Sequence, residues 1–199
     1  MGGCSSLTGA FFIYVEYPYI IGELIHVLDG SDVMRIRRDP NGQPMTIGFN
    51  GSEHFYLYNA QGDVVAIANY SGQVVVEYTY DAWGNPLSCT GSLADTLGRK
   101  NPFRYRGYVY DEETGLYYLK SRYYDPRVGR FICADGILPS NRMTSSNLFA
   151  YCNNNPIKNI DLDGRDWYLY EATGQLYYNK GMNQKQITFN DNLYTRVGA

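Results

Sequence analysis

The chain has 199 residues, 44% of them hydrophobic and 19% charged, with a formal net charge of −3. That length allows one or two domains with a sizeable core, and the small, scattered charge excludes a basic nucleic-acid surface. The composition includes 21 Tyr, 21 Gly and 8 Pro, which favours many short strands joined by tight turns.

Residues 1–30 form a segment without a clear pattern. Met1-Gly-Gly-Cys-Ser-Ser6 fits an N-terminal acylation signal, with Cys4 open to a second lipid. The apolar run from Ala10 to Leu28 is interrupted by Glu16, Pro18, Glu23 and His26. It makes a poor membrane span, and without a basic start it is a poor signal peptide. It reads as a strand pair, or as the scar of a truncated reading frame.

Residues 31–100 carry degenerate repeats. Arg35-Ile-Arg-Arg-Asp-Pro-Asn-Gly42, Tyr56-Leu-Tyr-Asn-Ala-Gln-Gly62, Tyr70-Ser-Gly72 and Tyr78-Thr-Tyr-Asp-Ala-Trp-Gly84 each end on a glycine. Steps of roughly 10 to 20 residues between turn glycines are what strand-turn-strand repeats require. In Tyr-x-Tyr-Asp the two rings share one face of a strand, and stacking of neighbouring units is expected to build a cross-strand aromatic ladder. Between Gly84 and Phe103 the pattern lapses into turn-forming residues. Ser92–Leu97 predicts one helical turn with Ser92 as its N-cap.

Residues 101–164 are the most regular part. Aromatic runs flank two turn signals, Asp111-Glu-Glu-Thr-Gly115 and Asp125-Pro-Arg-Val-Gly129, and predict three short antiparallel strands. The turn-forming residues are Asp81, Gly84, Asp111, Gly115, Asp125 and Gly129. Further on, Asn147–Asn153 predicts a short helix ending in asparagines, which tolerate left-handed backbone. The tail, 165–199, contains Trp167-Tyr-Leu-Tyr-Glu-Ala-Thr-Gly-Gln-Leu-Tyr-Tyr178, an echo of 108–118 that predicts another hairpin.

Little in the chain points to chemistry. No Cys-x-x-Cys occurs among Cys4, Cys89, Cys133 and Cys152, so neither a zinc site nor a disulfide scaffold is expected. Cys133 and Cys152 read as small apolar strand residues. His26 and His54 stand far from any nucleophile pattern and read as packed or solvated. Asp111-Glu-Glu113 lacks calcium-loop spacing and reads as a solvated turn. No cofactor and no metal is expected.

Two stretches carry a family resemblance: Arg106-Gly-Tyr-Val-Tyr-Asp-Glu-Glu-Thr-Gly-Leu-Tyr-Tyr118 and Arg122-Tyr-Tyr-Asp-Pro-Arg-Val-Gly-Arg-Phe131. They closely resemble the core signature of the RHS (rearrangement hot spot) or YD-repeat family, and the likeness extends more weakly from Asp29 to Gly164. The resemblance implies an all-β fold: antiparallel YD repeats forming part of a hollow RHS β-shell, with a short irregular or helical closing segment. It implies a non-catalytic scaffold or plug in bacterial intercellular competition. The partners would be the rest of the shell and a C-terminal toxin domain, of which the variable tail 165–199 would be a truncated start where it is not an extra hairpin, and the parent protein would be secreted or held at the cell surface. The alternative is a module binding carbohydrate or a cell-surface protein.

The resemblance also raises self-cleavage by an aspartate pair. By position the catalytic residues would be Asp125 and Asp135, and the cut would fall between Gly164 and Arg165. The chain departs from the family pattern here: Leu162 stands in place of Pro, Arg165 where Leu is common, and Gly136 after Asp135 where Pro is common.

Overall fold

The computed structural model describes residues 23–28, 32–135, 147–164, 167–170, 186–189 and 192–195, with side chains for 34–135 and 147–164. The acylation motif at Met1–Ser6 and most of the apolar run that follows lie outside the described residues. The chain divides into two units, one running to Tyr80 and resuming at Pro86–Gly107, the other combining Asp81–Asn85 with the chain from Tyr108 onward.

The first unit is a seven-stranded antiparallel meander. Its strands are β1 (Glu23–Leu28), β2 (Asp32–Arg38), β3 (Pro44–Phe49), β4 (Ser52–Tyr58), β5 (Val64–Asn69), β6 (Val74–Tyr80) and β7 (Pro86–Thr90), each paired with its chain neighbour. Period-two alternation sets its buried face, which carries Met34, Ile36, Ile47, Tyr56, Ile67, Val76 and Tyr78. β3 and β4 meet through Asn50-Gly51, both at positive φ, the two-residue connection whose twist matches paired strands.

The tyrosines of this unit behave differently from the expected ladder. Tyr56 and Tyr58 lie side by side on one strand at 6.1 Å, and Tyr78 and Tyr80 do the same at 6.3 Å. Tyr56 and Tyr78 are flanked across the strands by Ile67 and Cys89. Their hydroxyls are satisfied by the loop after β7: Asn101 accepts from Tyr56 at 2.8 Å, and the Gly98 carbonyl accepts from Tyr78 at 2.7 Å. Burial accordingly pushes the Tyr56 hydroxyl well above its usual pKa.

The helical turn of that loop is real but displaced. It spans Ala94–Gly98, with the amide of Gly98 bonded to the carbonyl of Leu93, and it has no side-chain cap. Ser92 is not its N-cap. The wide turn buries Leu97 at the sheet, and that burial sets its register.

The second unit holds a four-stranded sheet instead of three strands: β8 (Val109–Asp111), β9 (Leu116–Leu119), β10 (Arg122–Asp125) and β11 (Arg130–Phe131), in that order. Here the aromatic ladder forms. Tyr110, Tyr117, Tyr124 and Phe131 stand in register on one face with successive ring centroids 4.8, 6.3 and 6.0 Å apart. Tyr151 closes on Tyr124 at 4.0 Å.

The predicted helix over 147–153 is absent. Asn147 instead closes a turn by accepting from the Phe149 amide, and the chain then passes through three left-handed residues, Cys152, Asn153 and Asn154. Consecutive left-handed residues cannot continue a right-handed helix. β12 (Asn159–Asp161) follows and pairs with β13 (Trp167–Tyr170), which pairs with β15 (Asn192–Thr195) beside β14 (Gln186–Phe189). The echo at 167–178 thus contributes a strand up to Tyr170, and its remainder lies outside the described residues. Cys152 is buried and stands outside any disulfide. Cys133, expected as a small apolar residue, is half-exposed and disulfide-bonded.

The candidate self-processing site

One local rule builds the turns of the repeats. Asp39, Asn59, Asn69 and Asp81 each accept the amides two and four residues on through one side-chain oxygen, at 2.7 to 3.1 Å. In every case the glycine three residues on donates back to the carbonyl of the Asp or Asn and holds φ between 80 and 85°, a region glycine enters without steric cost. Asp111 and Asp125 make the same start, but their glycines, Gly115 and Gly129, stand one residue further along.

Asp125 is therefore a turn residue. Its carboxylate accepts the Arg127 amide at 2.9 Å and is gripped by the Arg127 guanidinium at 2.8 and 2.7 Å. That guanidinium holds its carboxyl below the usual carboxylate range. Gly129 packs against Trp83, and the Trp83 carbonyl accepts from Tyr124 at 2.7 Å.

Asp135 meets a different partner, Arg122, at the start of β10. The Arg122 side chain is only 10% exposed and lies over the Phe131 ring, its Cζ 3.6 Å from the centroid. Its Nη2 stands 3.5 Å from Oδ2 of Asp135 and 3.8 Å from Oδ2 of Asp161. Its Nη1 donates to the Leu148 carbonyl at 3.2 Å, and its Nε donates to the carbonyl of Gly164. Two carboxylates and the carbonyl before the predicted cut converge on one guanidinium.

Asp161 was not singled out from the sequence, where it reads as part of the closing motif. It is buried at the end of β12, with Oδ1 accepting the amides of Gly164 at 2.7 Å and Asp163 at 3.2 Å. Its own backbone is clasped by the Tyr108 hydroxyl, which donates to the Asp161 carbonyl and lies 3.1 Å from the Tyr151 hydroxyl. Burial, with the charge of Asp163 adding to it, pushes the Asp161 carboxyl up to about 7 against the pull of Arg122 and the two amides. It exchanges its proton near neutrality.

Asp163 and Gly164, at the end of the closing segment, sit in a close-fitting cradle. Ser121 donates through both its amide (3.1 Å) and its hydroxyl (2.7 Å) to the Asp163 carbonyl. Gly164 sits at φ 73°, and a Cβ there would come within 2.6 Å of the Leu119 carbonyl oxygen and 2.8 Å of Ser121 Oγ. No side chain fits without displacing backbone. Residue 165 lies outside the described residues.

The meander, the repeated Asx-capped turns and the aromatic ladder define a YD-repeat β-shell segment. The chain belongs to the Teneurin YD-shell family, whose profile matches residues 12–157. It is similar to the tRNA3(Ser)-specific nuclease WapA of Bacillus spizizenii, at 46% identity over 139 residues, covering 69% of this chain and 6% of that protein. It is also similar to the tRNA nuclease WapA of Bacillus subtilis, at 45% identity over 139 residues, with 69% and 6% covered. The chain thus spans only a small fraction of these relatives. Among solved structures it resembles TcdB2-TccC3 without its hypervariable C-terminal region, with a TM-score of 0.55 at 21% identity over 71% of this chain and 8% of that one. That likeness is one of fold.

Proposed function

We propose that this chain is the closing segment of a toxin-carrying YD shell and that it cuts its own backbone between Gly164 and residue 165. Its partners are then the remaining shell and the C-terminal toxin that the cut frees, in a protein secreted or displayed by a bacterium against other cells. Family membership and the relatives named as tRNA nucleases support the toxin-carrying part. The convergence of Asp135, Asp161 and the Gly164 carbonyl on Arg122 supports the cut.

Chemically, a carboxylate pair of this kind shares the work of acid and base. Asp135 takes a proton from a solvent water as its oxygen adds to the Gly164 carbonyl carbon. Asp161, exchanging its proton near neutrality, supplies one to the carbonyl oxygen. Collapse of the tetrahedral adduct breaks the C–N bond, returns that proton to Asp161, and passes the one on Asp135 to the leaving amine. Asp125 has no part in this, since its carboxylate is committed to its turn and to Arg127.

The test is an intact-mass time course on the purified 199-residue chain beside Asp135→Asn and Asp161→Asn. The expected result is loss of residues 165–199 in the wild type alone. Full-length mass in all three would reduce the cluster to a clasp that ties β10 to the closing segment, and the chain to a scaffold.

A further inference from the structure

The outward face of the meander carries a glycine that its own backbone does not require. Arg35, Gly48 and Glu53 pair in a row across β2, β3 and β4, on the face opposite Ile36, Ile47 and Tyr56. Glycine inside a strand weakens it, and it marks a bulge, a bend or the close approach of a ligand or another backbone. At Gly48 the pairing runs on without a shift, and φ is not positive. A Cβ there would meet nothing nearer than the Arg35 Cβ, at 3.5 Å, an ordinary contact. The strand therefore has room for a side chain at 48, and its absence leaves a trough between Arg35 and Glu53.

The two sides of the trough differ in chemistry. Arg35 is exposed, and its guanidinium has no hydrogen-bond or ion-pair partner among the described residues. Glu53 is held in place, its Oε1 accepting from Arg37 Nη1 at 2.6 Å and from Thr46 Oγ1 at 3.0 Å, while its Oε2 has no described partner. Beyond Glu53 stand half-exposed Phe55 and Tyr70, which is 86% exposed, with ring centroids 6.4 Å apart. From β2 to β5 the row crosses three strand spacings, about 14 Å.

We infer that this trough binds an acidic glycan, a short run of sugars bearing a carboxylate. The unpaired Arg35 guanidinium takes the carboxylate through two parallel N–H donors. Glu53 accepts from sugar hydroxyls, the faces of Tyr70 and Phe55 take the C–H face of a pyranose, and the glycine floor lets the sugar lie against the strands. A nucleic-acid strand also offers rings and anions, but its phosphates call for several cations in line. The row supplies one unpaired guanidinium, in a chain of net charge −3. The inference stands apart from self-cleavage, since its residues lie on β2 to β4 and just past β5.

The experiment is a calorimetric titration of the full 199-residue chain with trigalacturonate and sialyllactose as acidic probes, maltotriose as the neutral one, and an oligodeoxythymidine as the nucleic-acid one. The wild type is expected to bind an acidic probe at least about tenfold more tightly than maltotriose. Arg35→Gln is expected to abolish that preference, and Tyr70→Ala to weaken binding at least about threefold. Gly48→Thr decides between a trough and a flat strand. It is expected to weaken acidic-probe binding at least about tenfold while leaving the urea midpoint unchanged or higher, because threonine suits a strand. A Gly48→Thr chain that binds like wild type overturns the inference, and so does a wild type that binds neither acidic probe or binds maltotriose as tightly. Tighter binding of the oligodeoxythymidine than of either acidic probe reassigns the trough to nucleic acid and overturns it too. Should Gly48→Thr fail to fold, an Arg35→Gln chain that keeps the acidic preference overturns it equally.

Discussion

A carboxyl group sealed between two backbone amides and a guanidinium has its proton affinity set by competing effects. For Asp161, desolvation wins and raises its pKa to about 7 from an unfolded value of about 3.9. The native state therefore binds a proton that the unfolded state has released. The stability this contributes is fully present below pH ~4 and is lost as pH rises through ~7, a span worth on the order of 4 kcal/mol. Asp161→Asn removes that dependence. Urea unfolding between pH 4.5 and 7.5 is expected to show a wild-type stability that falls more steeply with pH than the variant's, and parallel curves would contradict the assignment. Asp161 was hidden in the sequence because only burial distinguishes it from the other turn aspartates. Asp125 was visible because Asp-Pro-Arg-Val-Gly is a strong turn signal, and a turn residue is what it is.

The turns are the elements most legible in the sequence. An Asp or Asn followed three residues later by glycine at 39, 59, 69 and 81 places one acceptor against two amides, within a span of five residues. Nothing distant is needed for that geometry, so it follows from local chemistry. Asp81→Ala leaves the Trp83 and Asn85 amides without their acceptor and is expected to cost about 1–2 kcal/mol, read as a lower urea midpoint with an unchanged slope. An unaltered midpoint would mean that the turn is held by its glycine alone. The helical elements were less legible. Ser92 has the chemistry of a cap, yet burial of Leu97 fixes the turn two residues further on. The run at Asn147 has helix-forming neighbours, yet left-handed Cys152–Asn154 breaks it in order to seat Tyr151 against Tyr124.

For the molecule as a whole, a meander has edges. β7 is an outer strand of the seven-stranded sheet, and its Leu87 is 64% exposed. An edge strand with an exposed apolar side chain is a template for association. Leu87→Lys is expected to reduce concentration-dependent light scattering while shifting unfolding free energy by no more than about 0.5 kcal/mol. Equal scattering would place any self-association elsewhere. The all-β class, the strand-turn rhythm and the family were determined by the sequence alone, because each rests on contacts between residues two to five positions apart or on a motif readable in one line. The meeting of Arg122, Asp135, Asp161 and Gly164 was decided only by the tertiary structure. Their separation along the chain carries no information about distance, and it is the closing segment folding back onto β10 that removes water from Asp161 and brings its carboxyl to a pKa near neutrality.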